Sequence, residues 1–414
     1  MLAAMTSHSA HPPAASPSDT GPLVRVRDPG ELVATLPALL GFHPRDSLIV
    51  VTTGGRSGGR AGLTLRIDLP PPGDVDEVSR MLAHTLLTAR ARGAAVAVVC
   101  DDPAADADGR DDASASGGGA DSVASGDGAG SAAFSGGADL AVCSGGGDAD
   151  TRPPPRADVA HTVAAAIEAH AVAVHTVVWA SGTGRGARWR CYGPCGCHGE
   201  LPAPHTTVVA AAAAVGGRVV YRDRTELERS LAPVDPETLR RREALLAARV
   251  DAALAAGAGA HAGVTTNPGV AWRQVCDALT DTAANRLVLD DARVVELICA
   301  LSLPQVRDAA LAACLGPRCE AALQLWAALT RESPDPESAQ PAVLLAATAL
   351  AHGDGALANV ALDRAERAWP GHRLTAVLRV LAAAALPPDR VRELLVTACA
   401  RAAREPGRFS DRGG

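Results

Sequence analysis

The sequence predicts a two-part fold: an α/β domain built on a mixed sheet with flanking helices over residues 23–232, then an all-α domain of helical hairpins over residues 233–404. Three observations predict it. Short apolar strands alternate with amphipathic helices through the first half. Strand signals cease after Asp235-Pro236, and helical stripes with regular breakers take over. The 414 residues are also enough for roughly two or three domains.

The elements follow in order. Residues 1–22 are rich in Ser, Pro, His and Ala, lack a basic segment followed by an apolar run, and read as a disordered tail rather than a secretory signal. Asp28-Pro29-Gly30-Glu31 carries an N-cap, a Pro at the first helical position and a capping-box acid. Leu32, Leu36, Leu39 and Leu40 follow at helical spacing, and Gly41 ends the helix. Pro37 should kink or split it. A turn, Phe42-His43-Pro44-Arg45-Asp46-Ser47, leads to a strand at Leu48–Thr52. The glycine-rich residues 54–59 reverse the chain into a second strand at Leu63–Leu69, where Leu63, Leu65 and Ile67 share one face. Asp74 and Glu77 start a helix running to Arg92, and Ala94–Cys100 is a continuous apolar strand.

Residues 101–156 contain 11 Asp, 3 Arg and no Glu, among Gly, Ala and Ser. Such a segment buries too little to offset its ordering entropy, so it reads as a disordered insertion within the domain. A helix at Ala157–His170, a strand at Val172–Ala180, a turn at Gly182–Gly186 and a strand at Ala187–Tyr192 follow. A helix at Thr206–Val215, a strand at Arg218–Tyr221 and a helix capped by Asp223 close the first half.

In the second half, Leu239, Leu246, Val250 and Leu254 form one stripe, Val294, Ile298 and Leu301 another, and Ala321, Leu325 and Leu329 a third. Leu345, Ala346, Ala349, Gly353, Ala358, Leu362, Ala365 and Pro370 fall at the small and large positions of a tetratricopeptide helix-turn-helix unit, which this part of the chain resembles. Residues 405–414 read as a second disordered tail.

Composition excludes several chemistries. All 39 basic residues are Arg. Without Lys there is no phosphate-loop Lys, no kinase strand Lys and no Schiff-base nucleophile. The net charge of −7 is concentrated in 101–156, leaving the remainder near neutral. Only Arg240-Arg241-Arg242 is densely basic, and on a helix these point three ways, so a solvated face is expected there. With aromatics at 2%, no nucleic-acid partner is predicted. No apolar run is long enough for a membrane span. Ten Cys without a dense framework fit a reduced, cytoplasmic protein.

Three sets of residues could carry chemistry. His43, Asp46 and Ser47 are the catalytic candidates, with His43 as base and Ser47 as nucleophile or phosphate contact. The competing reading makes them turn-stabilising groups. Arg66 and Asp68, two apart on one strand, are a ligand-reading pair or a plain ion pair. Cys191, Cys195, Cys197 and His198, with His205 nearby, hold soft ligands in a short turn. A structural turn with no metal is the favoured reading, and zinc or redox chemistry the alternative, because adjacent Cys197 and His198 cannot readily share an ion. Gly182, Gly184 and Gly186 join strand to strand and lack the helix N-terminus of a dinucleotide fingerprint.

Pro37 to Leu48, followed by Arg66-Ile67-Asp68-Leu69-Pro70, resembles an actinobacterial family known as the domain of unknown function 4192 family. The turn at Cys195–Cys197 and the run Gly353 to Ala358 resemble it too. The resemblance implies a bacterial cytoplasmic protein with an α/β part and a helical part. It implies no activity, and residues 101–156 depart from the family pattern as an insertion. The expected function is therefore a non-enzymatic interaction or accessory protein, holding a protein or peptide partner on its C-terminal helices. The alternative is a small-molecule sensor or an enzyme with its site in the α/β domain.

Overall fold

Asp28 opens the first helix as its sequence demands. The computed structural model describes residues 28–54, 60–89, 91–102, 152–215, 218–255, 267–384, 386 and 388–404. The two expected tails, the reversal at 55–59 and the bulk of the expected insertion, 103–151, lie outside the described residues.

Helix α1 spans Pro29–Leu40, and the Asp28 carboxylate accepts the Glu31 amide at 2.7 Å. It is one continuous helix through Pro37, so the expected split does not occur. A mid-helix Pro costs about 3 kcal/mol. Here the helix is buried on almost every side, from Leu32 through Ala38, and packing outweighs that cost. Strands β1 (Ser47–Gly54) and β2 (Arg60–Asp68) pair antiparallel. Pro72–Asp74 forms a short 3-10 turn into α2 (Val75–Thr88). That turn holds Asp74 in helical backbone conformation, so its side chain does not cap α2 as expected. Strand β3 (Gly93–Val99) is buried at every position. Helix α3 (Ala157–Glu168) connects it to β4 (Ala173–Ala180), and β5 (Arg188–Cys191) follows.

The sheet order is β2-β1-β3-β4-β5, and a sixth strand that the sequence reading missed, β6 (His198–Glu200), completes the edge. Only β3 and β4 are parallel, the geometry of a strand–helix–strand crossover. Alternation sorts the side chains. Leu48, Val50, Val96 and Val98 face α2 and α3, which contribute Leu82, Leu86, Val163 and Ile167. Ile49, Val51, Ala95 and Ala97 belong to the other cluster, with Leu32, Val33 and Leu36 of α1.

Helices α4 (Val208–Val215) and α5 (Arg224–Ser230) end this half. The expected strand at Arg218–Tyr221 is not one. Tyr221 makes a single bridge to Phe42, through Tyr221 N–H to Gly41 O at 2.8 Å and His43 N–H to Tyr221 O at 3.1 Å.

Beyond Asp235 every assigned element among the described residues is helical. These are α6 (Pro236–Ala255), α7 (Pro268–Ala283), α8 (Asp291–Leu301), α9 (Pro304–Ala313), α10 (Cys319–Glu332), α11 (Ala339–Ala351), α12 (Gly355–Ala368), α13 (Arg373–Ala383) and α14 (Pro388–Arg404). Helix α11 is central, buried at every position but Gln340. Only the first half of the stripe expected on α6 turns inward: Leu239 and Leu246 are half-buried, whereas Val250 and Leu254 are 44% and 49% exposed. The buried residue there is Arg242, so the Arg240–Arg242 run is not a uniformly solvated face. Arg242 Nε reaches Asp291 at 2.8 Å, and its other nitrogens reach Glu332 and Leu289 O. One apolar cluster takes in α1, one sheet face and the helices, including Leu297, Trp326 and Leu345.

Candidate functional site

The starts of β1 and the ends of β2, β3 and β4 lie at one end of the sheet, because Ser47 pairs with both Asp68 and Val99, and Val99 with Ala180. Outside the carboxyl ends of parallel strands is where α/β folds usually hold ligands. Four of the sequence-nominated side chains are linked there in two separate sets. Ser47 is buried, its hydroxyl donating to Arg45 O at 2.6 Å and accepting from Arg66 Nε at 2.9 Å. Arg66 continues to Asp68 at 2.6 Å and lies 5.9 Å from the centre of the Phe42 ring. Asp68 is 86% exposed at its side chain. These contacts fix the strand edge and leave the Ser47 hydroxyl committed on both its donor and an acceptor side.

His43 takes a different partner. Its Nδ1 lies 2.9 Å from the hydroxyl of Thr183, a residue 140 positions away in the turn after β4. Burial, reinforced by Arg45, lowers the His43 pKa and favours the neutral ring. Asp46 adopts φ 41°, and its backbone carbonyl accepts from Leu69 N–H at 2.8 Å. Asp46 is exposed, and no contact joins its carboxylate to His43 or Ser47. Nearby, Arg188 approaches Asp102 at 3.4 Å, and Trp179 Nε1–H donates to Cys100 O at 3.2 Å. Burial pushes the Cys100 thiol up, despite Trp179. Thr183 was missed from sequence, since nothing local marks a turn hydroxyl that meets a distant ring.

A second cluster sits at the far side of the sheet. The chain leaves β5 at Cys191, turns through Gly193-Pro194 and returns at β6. Cys191 N–H donates to Cys197 O at 2.8 Å and closes the loop. Gly196 has φ 62°, a left-handed conformation that Gly adopts at no steric cost. The sulfurs of Cys191, Cys195 and Cys197 all lie within 4.8 Å of one another. His198 is turned elsewhere, with its Nδ1 3.1 Å from Gly196 O, and His205 lies in a separate 3-10 turn. Beside the sulfurs is a cleft of about 200 Å³, whose lining includes Arg152, His161, Arg190, Cys191 and Tyr192. Tyr192 meets His161 edge-on at 5.9 Å, and its hydroxyl donates to Pro155 O at 2.5 Å. Burial drives the Tyr192 pKa far upward, keeping the hydroxyl a donor.

The fold and these two clusters define a class: a mixed six-stranded sheet with helices on both faces, continued by a helical array. The chain belongs to the family described as Domain of unknown function (DUF4192), whose model matches residues 29–389. Comparison with curated proteins and with solved structures gives no match. The family assignment covers both clusters and carries no activity.

Proposed function

We propose that this is a cytoplasmic, non-enzymatic accessory protein that holds a helical segment of a partner protein on its C-terminal helices. The observation that carries the reading is the outer face of α13. Val377 and Val380 are 55% and 69% exposed, and Trp369, just before the helix, is 51% exposed. Arg373, Val377 and Val380 fall on one side at helical spacing. Helix α13 contains no acidic residue; Arg373 supplies a cation on this face, while Arg379 is paired with Asp363 of α12. That combination suits an amphipathic helix with an apolar stripe and acidic flanks. Helices α11 and α12 support the reading as a tetratricopeptide-like hairpin. Leu345, Ala346 and Ala349 of one and Ala358, Leu362 and Ala365 of the other are fully buried, and the small residues let the helix axes approach.

A photo-crosslinking side chain placed at Val380 of the full chain, in its native host, tests this. A discrete adduct is expected, absent from a V377D variant with unchanged circular dichroism. Equal adducts from a control position such as Arg80 would count against it.

A second reading, a small-molecule sensor or enzyme, rests on His43 and Thr183 meeting at the carboxyl end of β3 and β4. A ligand at 100 times its dissociation constant adds about 2.7 kcal/mol of stability. A metabolite panel that shifts the melting temperature of the wild type but not of T183V would favour it.

A further inference from the structure

We infer that Cys191, Cys195 and Cys197 form a thiolate site for a zinc-class divalent ion, with a fourth position that no other Cys, His or carboxylate among the described residues fills. Three features of the loop lead there. First, the backbone is shaped for convergence. The Cys191–Cys197 hydrogen bond brings the two ends of the loop together, and the left-handed Gly196 lets the chain fold back between Cys195 and Cys197. Second, the distances are those of a ligand set. Zinc–sulfur bonds of about 2.3 Å in a tetrahedron separate the sulfurs by about 3.8 Å. The observed separations, all within 4.8 Å, need only side-chain adjustment to reach this. Third, the surroundings suit the charge. Each coordinating thiol gives up its proton. One divalent ion with three thiolates therefore carries a net charge of −1 after releasing three protons. Arg152 and Arg190 line the adjoining cleft and offset that charge.

The fourth ligand is not His198. Cys197 is buried while the next residue, His198, is exposed, so the two side chains leave the chain on different sides. The His198 ring instead turns back toward Gly196 O. Of the three, Cys191 lines the cleft containing His161 and Tyr192, and water entering there would complete the tetrahedron. An ion at this place would pin β5 to β6, the short edge of the sheet, where only three residue pairs join the strands.

The test uses the full-length protein, reduced, stripped with chelator and reloaded with zinc or cobalt alone. Elemental analysis should find about one equivalent of zinc per chain. The cobalt form should show intense thiolate-to-metal absorption and tetrahedral ligand-field bands. Cys195 is exposed and outside the core, so C195S should fold normally, judged by circular dichroism, and lose at least tenfold in zinc affinity. C276S, on α7, should keep full loading. H198A should also keep it, which separates this ligand set from one that uses the histidine. Failure of the reduced wild type to take up either metal would overturn the inference. So would uptake that C195S leaves unchanged. Thiols found joined in a disulfide, with no metal binding after reduction, would overturn it as well.

Discussion

Arg242 places a guanidinium where the stripe of α6 calls for an apolar side chain. It is 4% exposed and bonds to Asp291 at 2.8 Å, to the Glu332 carboxylate, and to Glu332 O at 2.6 Å. Removing one member of a buried pair leaves its partners uncompensated, at about 3–5 kcal/mol. Asp291 and Glu332 are 30% and 23% exposed, so water recovers part of that loss. R242A should therefore cost about 2–3 kcal/mol in urea denaturation. A loss under 0.5 kcal/mol, about the noise level for surface changes, would show that the network is ornamental. The same contacts set an acid dependence. Hydrogen bonds from Arg241 and Arg242 hold the Asp291 carboxyl below its ordinary range. At Asp335 burial opposes ionisation, but Arg364, at 2.6 Å, and Ser338 outweigh it and lower the pKa. A depressed folded-state pKa gives stability that is present above the unfolded value of about 3.9 and lost as pH falls through the folded value. Stability should fall on acidification below about pH 4, and R364M should flatten that limb. Parallel acid limbs in wild type and variant would contradict the assignment.

At the scale of elements, the capping signals had uneven success for a physical reason. Asp28-Pro29-Gly30-Glu31 and Asp74 to Glu77 carry the same spacing, yet only Asp28 caps. Pro71-Pro72 commits the chain to a 3-10 turn before α2, and a cap needs extended backbone that Asp74 no longer has. D28A should cost about 1 kcal/mol, while D74A should be neutral to within a few tenths, both read by thermal melts. Periodicity found the buried faces of α8 and α10 because those helices are covered on one side by neighbours. On α6, at the rim of the array, it held for Leu239 and Leu246 and failed for Val250 and Leu254. The turn residue Gly353 was legible as a break, but its real constraint is spatial. It has φ 75°, and an added Cβ would lie 2.9 Å from Pro388 Cγ, 35 positions downstream. G353A should destabilise by more than 1 kcal/mol, the combined cost of left-handed backbone and a clash. The candidate sites were legible only as residue types. Which sulfurs converge depends on the Gly196 conformation and on the closure from Cys191 to Cys197, neither of which spacing encodes.

Across the whole molecule, the acidic segment has edges narrower than its composition indicates. By composition it runs from 101 to 156, but both of its described ends are tied to the sheet. Asp102 meets Arg188, Arg190 reaches Arg152 O, and Tyr192 bonds to Pro155 O. Arg156 reaches Pro70 O, two residues past the end of β2, and its own carbonyl accepts from Ala160 N–H as α3 begins. Residues 152–156 thus clamp the entry to α3, whose buried Val159, Val163 and Ile167 fill the sheet face beside α2. Two deletions distinguish a clamp from an incidental contact. Removing 103–151 and joining the ends through a short Gly-Ser linker should leave soluble expression and the melting temperature within a few degrees of the full chain. Extending the deletion to 101–156 removes the clamp and should lower the midpoint by several degrees, since about 1 kcal/mol moves a domain of this size by about 2–4 °C. Y192F should reproduce part of that loss in the intact chain but none of it in the longer deletion, because its acceptor, Pro155 O, is already gone. If both deletions melt alike, α3 docks by its apolar face alone and residues 152–156 act only as a tether.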